Sequence, residues 1–312
     1  MISRTLAILL LLTPLLAGAA EAVPYLLTAA AKGDVQMVQA MLDSGVSPNT
    51  KDVEGITALM YAARKGSAEV AKALLDKGAD INARDGDGWT ALMFATKKGF
   101  VDTVQVLLAA HADIAVRDQS GWSALGLAAT SGYNEIVDLL IKQGASPNSK
   151  SDDGRTMLMY AAKVGDVPTI QTLIENGADL TARDRFGATA VMYAAREGHS
   201  AALRTLLDAG AKVDDMDHTK WTALNWAIKK NRLESAQTLV LMGANVNSKD
   251  SEGVSLLQYA VDTGSVPLVK LLLDSGADVK ARDQYGLTAL VYAMKNRKPE
   301  IAKLIKDAGG SY

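Results

Sequence analysis

The stretch DVEGITALMYAARKG, residues 52–66, and its continuation AEVAKALLDKGADINA, residues 68–83, decide the fold. The tetrad Asp52-Val53-Glu54-Gly55 returns as Asp85-Gly86-Asp87-Gly88 and as Asp118-Gln119-Ser120-Gly121, each 33 residues after the last. Ser151, Asp184, Asp217, Asp250 and Asp283 continue the series without an insertion or deletion. A fixed period of this length is the signature of a solenoid, in which stacked units share one core. Such a stack offers a long surface and no enclosed catalytic cavity, so the period points towards binding.

One unit explains its own structure. Gly55 suits a turn that needs positive φ. Thr57 precedes the apolar run Ala58-Leu59-Met60-Tyr61-Ala62-Ala63 and fits as an N-cap. Thr90, Ser123, Thr156, Thr189, Thr222, Ser255 and Thr288 hold the same place, each with a hydroxyl that can accept from a helical N–H. Gly66 ends the first short helix as a left-handed C-cap. A second helix follows, with Val70, Leu74 and Leu75 on one face, and Gly78 ends it. Neither helix is long enough to be stable alone, so stacking must supply most of the free energy. The expected class is all-α, a solenoid of helix–turn–helix units with projecting β-turns.

These motifs resemble the ankyrin repeat, and the resemblance covers nearly the whole chain. It implies seven full repeats over residues 52–282, a truncated first repeat over 24–51 and a capping repeat over 283–312. In the last repeat Lys306 replaces the second apolar residue of the second helix, so the outer face becomes polar, as a solenoid end requires. The chain departs from the family's Thr-Pro-Leu-His pattern. Ala stands for Pro at Ala58, Ala91, Ala124, Ala190, Ala223 and Ala289, and Met stands for His at Met60, Met93, Met159 and Met192. Met packs there but is not expected to hydrogen-bond. The repeat from Asp217 is the least regular: Lys220 sits where its neighbours have Gly, and Asn231 replaces a helix-ending Gly. Lys in the left-handed region costs on the order of 1 kcal/mol, whereas Asn tolerates it.

Composition narrows the partners. A hydrophobic content of 48% supports a continuous core, and a formal charge of −2 argues against nucleic acid as the main ligand. Residues 1–22 read as a signal peptide. Arg4 supplies the positive start, Leu6 to Leu16 the apolar run, and Ala17-Gly18-Ala19 or Ala20-Glu21-Ala22 the cleavage site. The run is too short to span a bilayer comfortably, so cleavage is favoured over anchoring, and no stable span is expected afterwards. The competing reading is a first helix of the fold. The chain has no cysteine, which excludes disulfides and a cysteine nucleophile and suits an exported protein held by packing alone. The expected destination is the bacterial periplasm, with release beyond the cell as the alternative.

Little in the sequence suggests chemistry. His111, His199 and His218 occupy different repeat positions and should not converge on a metal or nucleophilic site. His111 stands at a helix-ending position, His199 where such repeats brace neighbouring loops, and His218 at a turn tip. Asp85-Gly86-Asp87-Gly88 opens like a calcium loop but lacks the later acidic ligands. No phosphate-binding, zinc-protease or serine-nucleophile motif is present, so no enzyme activity, cofactor or metal is expected. The ladder Tyr61, Phe94, Tyr160, Tyr193, Trp226, Tyr259 and Tyr292 recurs at one repeat position and reads first as core packing between adjacent first helices.

Two features suit a partner. In ankyrin repeats the ligand is generally held by turn tips and the exposed side of the first helices, which form the concave face. Aromatic residues stand at the tips: Trp89, Trp122, Phe186, Trp221 and Tyr285. Trp89 and Trp122 hold the same place in successive units and should lie about 10 Å apart. Exposed aromatics are the usual anchors of an interface, and the competing reading is that each indole covers its neighbouring turn. A cation also precedes most turns: Lys51, Arg84, Arg117, Lys150, Arg183, Lys249 and Arg282. Lys97, Lys98, Lys163, Arg196 and Lys229 add to this row from the first helices. A basic stripe would suit an acidic patch on a partner, and the competing reading pairs each cation with its adjacent Asp. The expected protein is thus a monomeric, non-enzymatic scaffold of the cell envelope that binds a protein partner. The alternatives are a secreted effector or toxin-neutralising factor, and a small-molecule sensor or enzyme.

Overall fold

A computed structural model describes residues 19–311, with side chains from Tyr25 onward. The described residues form eighteen helices joined by turns, with only isolated β-bridges between residues flanking some tips. The signal reading falls mostly outside the described residues. Of its span, residues 19–22 begin the first described helix, Ala19–Lys32.

Two compact units divide the chain, residues 1–145 and 146–312. In the first unit the described helices pair as α1 (Ala19–Lys32) with α2 (Val35–Asp43), α3 (Ala58–Lys65) with α4 (Ala68–Asp76), α5 (Ala91–Lys98) with α6 (Val101–Ala109), and α7 (Ala124–Ser131) with α8 (Asn134–Lys142). In the second unit they pair as α9 (Met157–Val164) with α10 (Val167–Glu175), α11 (Ala190–Glu197) with α12 (Ser200–Asp208), and α13 (Ala223–Lys229) with α14 (Leu233–Leu241). The series ends with α15 (Leu256–Thr263) beside α16 (Val266–Asp274), and α17 (Ala289–Lys295) beside α18 (Pro299–Asp307). Within each unit every first helix packs on the next first helix and every second helix on the next second helix. Each unit is therefore a short solenoid.

The periodic residues build this arrangement as the sequence predicts. Thr57, Thr90, Ser123, Thr156, Thr222 and Ser255 accept from the amide three residues on, and so cap their helices. Thr288 behaves differently: its hydroxyl donates to the Ser311 carbonyl at 2.9 Å, tying the chain's last turn over the final repeat. Small alanines let the first helices approach, and Ala62, Ala63, Ala194, Ala195 and Ala227 are fully buried. The second helices contribute one row of large side chains, including Leu74, Leu107, Leu140, Leu173, Leu206, Leu239 and Leu272, all without exposure. Fully burying each is worth roughly 2 kcal/mol.

Three departures have clear local outcomes. The methionines that replace histidine do more than pack. The sulfurs of Met60, Met159 and Met192 lie 3.4 Å from the amides of Thr57, Thr156 and Thr189, as weak acceptors closing a capping box. This corrects the expectation that Met at this place makes no hydrogen bond. Lys220 takes φ 61°, Asn231 φ 54° and His111 φ 62°, the left-handed conformations their glycine equivalents adopt freely. Lys306 is exposed at the far end, as a polar end cap requires.

Candidate functional site

The tips and the first helices carry the aromatic and cationic residues that the sequence singles out. Most tips are organised by a leading carboxylate, and Ser151 takes that place in one. Asp217 Oδ1 accepts from the amides of Thr219 and Trp221 at 2.9 and 3.0 Å, and Asp250 Oδ1 from those of Glu252 and Val254 at 2.9 Å each. Asp85 makes the same bonds to the amides of Asp87 and Trp89, so the Asp-Gly-Asp-Gly segment is a turn. Within each unit neighbouring tips are stitched by backbone bonds, including Gly86 to the Glu54 carbonyl, Gln119 to Asp87, His218 to Phe186, and Ser251 to Thr219.

The second carboxylate oxygen reaches the aromatic ladder. The Tyr61, Tyr193 and Tyr292 hydroxyls donate to Asp52, Asp184 and Asp283 Oδ2 at 2.7, 2.7 and 2.6 Å, and Tyr259 donates likewise to Asp250. Trp226 keeps the bond with its indole N–H, 3.1 Å from Asp217 Oδ2. The ladder is therefore more than core filler: Tyr160 and Tyr193 are buried, but Tyr61, Phe94, Trp226, Tyr259 and Tyr292 are half-buried and line the face. Burial pushes up the Tyr193 hydroxyl, with help from the Asp184 carboxylate, to about 12. The hydrogen bond to Asp283 is the main cause that raises Tyr292 to about 12. Burial works against the Asp52 and Asp283 carboxylates, but the tyrosine hydroxyl and tip amides outweigh it and hold both below the usual range.

The sequence-predicted tip residues divide into two groups. Trp89, Trp122 and Trp221 are half-buried. Trp89 leans on Phe94, with ring centroids 5.1 Å apart, and Trp221 stands edge-on to Trp226 at 4.8 Å and to Tyr259 at 5.1 Å. Phe186 and Tyr285 project further, 53% and 74% exposed. Trp89 and Trp221 thus cover ladder rings while remaining partly exposed.

Arg84 and Arg183 bind elsewhere than the adjacent Asp of the competing reading. Their guanidinium groups bind carbonyls across the tips. Arg84 donates to the Gly88 carbonyl at 3.3 Å and to the Arg117 carbonyl at 2.7 Å, one full repeat on. Arg183 does the same with Gly187 and Met216, and also pairs with Asp215 at 3.0 Å. Arg117 binds the Gly121 carbonyl, and Lys249 reaches that of Arg282. Lys150 is exposed and forms a β-bridge with Thr156. These side chains strap the tips together while leaving much of their charge at the surface.

A second set of cations emerges that sequence reasoning undervalued. Arg64 lies over the Phe94 ring at 5.5 Å, Arg196 over Trp226 at 5.3 Å and Lys229 over Tyr259 at 5.1 Å. Each cation ends one first helix and covers the aromatic residue 30 positions later, in the next repeat. That fixed offset was readable in the sequence. Arg155 was not: it stands where other tips have Trp, donates to the Tyr193 hydroxyl at 2.7 Å and pairs with Asp153. Arg185 covers Phe186 at 4.8 Å.

Each unit carries a groove beside its tips. In the first, about 610 Å³ is lined by Ile56, Arg64, Asp85, Asp87, Trp89, Phe94, Lys97 and Lys98 among others. In the second, about 580 Å³ is lined by Arg155, Tyr193, Arg196, Trp221, Trp226 and Tyr259, with Phe186, His218 and Glu252 on the tip side. Neither groove gathers catalytic groups. His199 bonds the Lys163 carbonyl at 3.1 Å, bracing the loops as expected, and His111 and His218 are exposed at separate positions. No cluster of three His, Asp or Glu is placed to hold a metal among the described residues, and no described helix is long and apolar enough to cross a membrane.

The family model for ankyrin repeats (3 copies) matches residues 26–118, 102–184, 158–250 and 237–311. The chain belongs to the ankyrin-repeat family. Among solved structures, the ankyrin repeat domain of human ASB11 is similar, with a TM-score of 0.64 and 26% identity over 70% of this chain and 98% of that one. No curated protein sequence matches the chain. Ankyrin repeats generally mediate protein–protein interaction, and the ankyrin fold is typically a non-enzymatic scaffold. Both grooves lie beside the tips and first helices.

Proposed function

We propose that this protein is an exported bacterial scaffold that binds a partner protein of the cell envelope through its tips and first helices, without catalysis. The observation that carries the reading is the placement of Trp89 and Trp221: each seals part of its groove and keeps an edge towards solvent, the disposition of an interface anchor. Trp122, Phe186 and Tyr285 extend that aromatic edge, and Arg84, Arg117, Lys150 and Arg183 set a basic margin beside it, suited to an acidic patch on the partner. Export rests on the sequence of residues 1–22, and the periplasm is the compartment proposed.

Site-specific photo-crosslinking in cells tests the interaction. A crosslinker at position 89, 122 or 221 should yield a discrete protein adduct, and one at Glu69 or Lys72 on α4 should not. Adducts confined to α4 would reverse the assignment of the face. Replacing Trp89 and Trp122 by Ala should weaken capture of that partner by roughly 2–4 kcal/mol with little change in melting temperature. Fractionation with N-terminal sequencing tests export: mature protein should begin between Ala20 and Val23, and intact Met1 on cytoplasmic protein would refute it.

A further inference from the structure

Within the second unit, side chains of one repeat clamp carbonyls of its neighbour, and the clamps are of three kinds. The first comes from the cation before a tip: Arg183 donates to the Met216 carbonyl at 2.7 Å and Lys249 to that of Arg282 at 3.1 Å. The second braces the ends of the first helices. His199 meets the Lys163 carbonyl at 3.1 Å, Arg232 that of Arg196 at 3.3 Å, and Lys298 those of Val261 and Asp262 at 2.6 and 2.8 Å. The third runs from Gln258 Nε2 to the Leu287 carbonyl at 2.9 Å.

At the step from the Asp217 repeat to the Asp250 repeat none of the three is made among the described residues, and each loss has its own substitution. Met216 stands where the other repeats have Lys or Arg. Asn225 holds the place of Gln258 one methylene shorter, and its buried Nδ2 has no partner. Ser265 takes the bracing position with a side chain too short to reach the preceding helix end. The path of the brace is closed as well. His199, Arg232 and Lys298 pass over Gly165, Gly198 and Gly264, where an added Cβ would lie 2.5, 2.9 and 3.1 Å from them. Asn231 carries that Cβ.

Besides core packing, this step keeps the Ser251 amide on the Thr219 carbonyl at 3.2 Å, the Asn245 amide on Asp214 Oδ1 at 3.0 Å, and the Ser248 hydroxyl on Asn225 Oδ1 at 3.4 Å. Trp221 reaches across it to stand edge-on to Tyr259 at 5.1 Å, and Lys229 lies over the same ring. In a solenoid each repeat touches only its neighbours, so the array parts first at its weakest interface. Two repeats lie beyond this step, fewer than a stable stack needs. Once parted they unfold together.

We propose that the second unit opens at this step: α15 to α18 leave the stack as one cooperative body, and the Trp221 indole is the latch that holds them. The opening itself does not depend on a partner. The groove is lined by Trp221 and Trp226 on one side of the step and by Glu252 and Tyr259 on the other. A partner that spans it therefore holds the latch shut, which couples binding to order in the last two repeats.

Native-state hydrogen exchange of the full chain, read by mass spectrometry, tests the opening. The amides of α15, α16, α17 and α18 should exchange together, at least tenfold faster than those of α11 and α12. Met216→Arg with Asn225→Gln restores two clamps and should slow α15 to α18 tenfold or more while leaving α11 and α12 unchanged. Met216 is exposed, so Met216→Arg alone meets no crowding and should give part of that slowing. Trp221→Ala removes the latch and should speed α15 to α18 by a similar factor. Fast exchange confined to α17 and α18 would be the fraying of a chain end and would overturn the proposal. So would exchange of α15 and α16 at the rate of α11 and α12, or rates that neither Met216→Arg nor Trp221→Ala moves.

Discussion

The two units use one framework and finish it differently. In the first, the ladder runs Tyr61, Phe94 and then breaks at Leu127, and Arg64 spans both rings at 5.7 and 5.5 Å. In the second it is continuous through Tyr160, Tyr193, Trp226, Tyr259 and Tyr292, and Trp221 wedges between two rungs. The tip carboxylates differ too. Asp52 and Asp85 are half-buried, whereas Asp118 of the same unit and Asp184, Asp217, Asp250 and Asp283 of the other are buried. The residues that make the repeat are shared by both units. The variable positions beside them decide whether a face is a polar shelf or an aromatic groove, so recognition changes without disturbing the fold.

The strongest test of this contrast is at the tip carboxylates. Asp250→Ala should cost about 2–4 kcal/mol, because it orphans two amides and the Tyr259 hydroxyl in a buried site. Asp52→Ala loses the same three donors, but solvent reaches the site and can replace the carboxylate, so about 1–2 kcal/mol is expected. Urea unfolding measures both. Equal losses would mean that burial at a tip does not set what its carboxylate contributes.

The alkaline limit gives the next test. A phenol that titrates near 12 when folded and near 10 when unfolded holds its proton more firmly in the folded state. Its stabilisation is full below pH 10 and is lost as the pH rises through about 12. Tyr193 and Tyr292 both follow this rule, so stability should fall over that window together with tyrosinate absorbance. Tyr193→Phe should flatten the fall. The acid side runs the other way: Asp52 and Asp283 are held low, so their contribution is present above about pH 4 and is lost below it. A Tyr193→Phe variant with an unchanged alkaline profile would show that the ladder hydroxyls are not the source.

What could be read from sequence follows from what repeats. The caps, the left-handed glycines and the Leu rows recur every 33 residues with few exceptions, so local rules agree from repeat to repeat and the architecture is legible. His111 and His199 were legible for the same reason, since each stands in a repeat position of known geometry. The site was less so, because its residues come from different repeats. Arg196 meets Trp226 across 30 positions, and Arg155 meets the Tyr193 hydroxyl across 38. Single-repeat reasoning also misassigned the guanidinium partners: Arg84 and Arg183 bind carbonyls 33 residues on, a contact that exists only once units stack. The hydroxyl of each ladder tyrosine was overlooked because an aromatic at helical spacing already has a sufficient explanation in packing.

The irregular repeat from Asp217 sharpens the comparison with its neighbour from Asp250. Gln258 donates from Nε2 to the Leu287 carbonyl at 2.9 Å, bridging to the next tip. Asn225 holds the same place one methylene shorter, and its Nδ2 is buried without a partner. A buried unsatisfied donor costs about 1–3 kcal/mol. Asn225→Gln should reach the Val254 carbonyl and raise stability by about 1–2 kcal/mol, less any strain from the added volume. The reciprocal Gln258→Asn should lower it by a similar amount. Thermal and urea unfolding of both variants would decide, and a destabilised Asn225→Gln would mean that the site has no room for the longer side chain.

Lys220 offers the smallest effect and the cleanest reading. It is the tip residue that takes φ 61° where the equivalent residues of Gly55, Gly88, Gly187 and Gly253 are glycine. Its side chain is exposed, so replacement removes no packing. A β-carbon in the left-handed region costs on the order of 1 kcal/mol. Glycine relieves that cost but gives back part of it through the freer unfolded chain. The net gain for Lys220→Gly should be about 0.5 kcal/mol. Lys220→Asn, which tolerates the conformation, should fall between the two. Capture of the partner by crosslinking at position 221 separates strain from recognition. If the strained backbone merely reflects sequence drift, Lys220→Gly will stabilise the unit and leave binding unchanged. If the conformation sets the pose of the adjacent Trp221, the glycine variant will gain stability and lose affinity, because a more mobile tip must be ordered again when the ligand arrives.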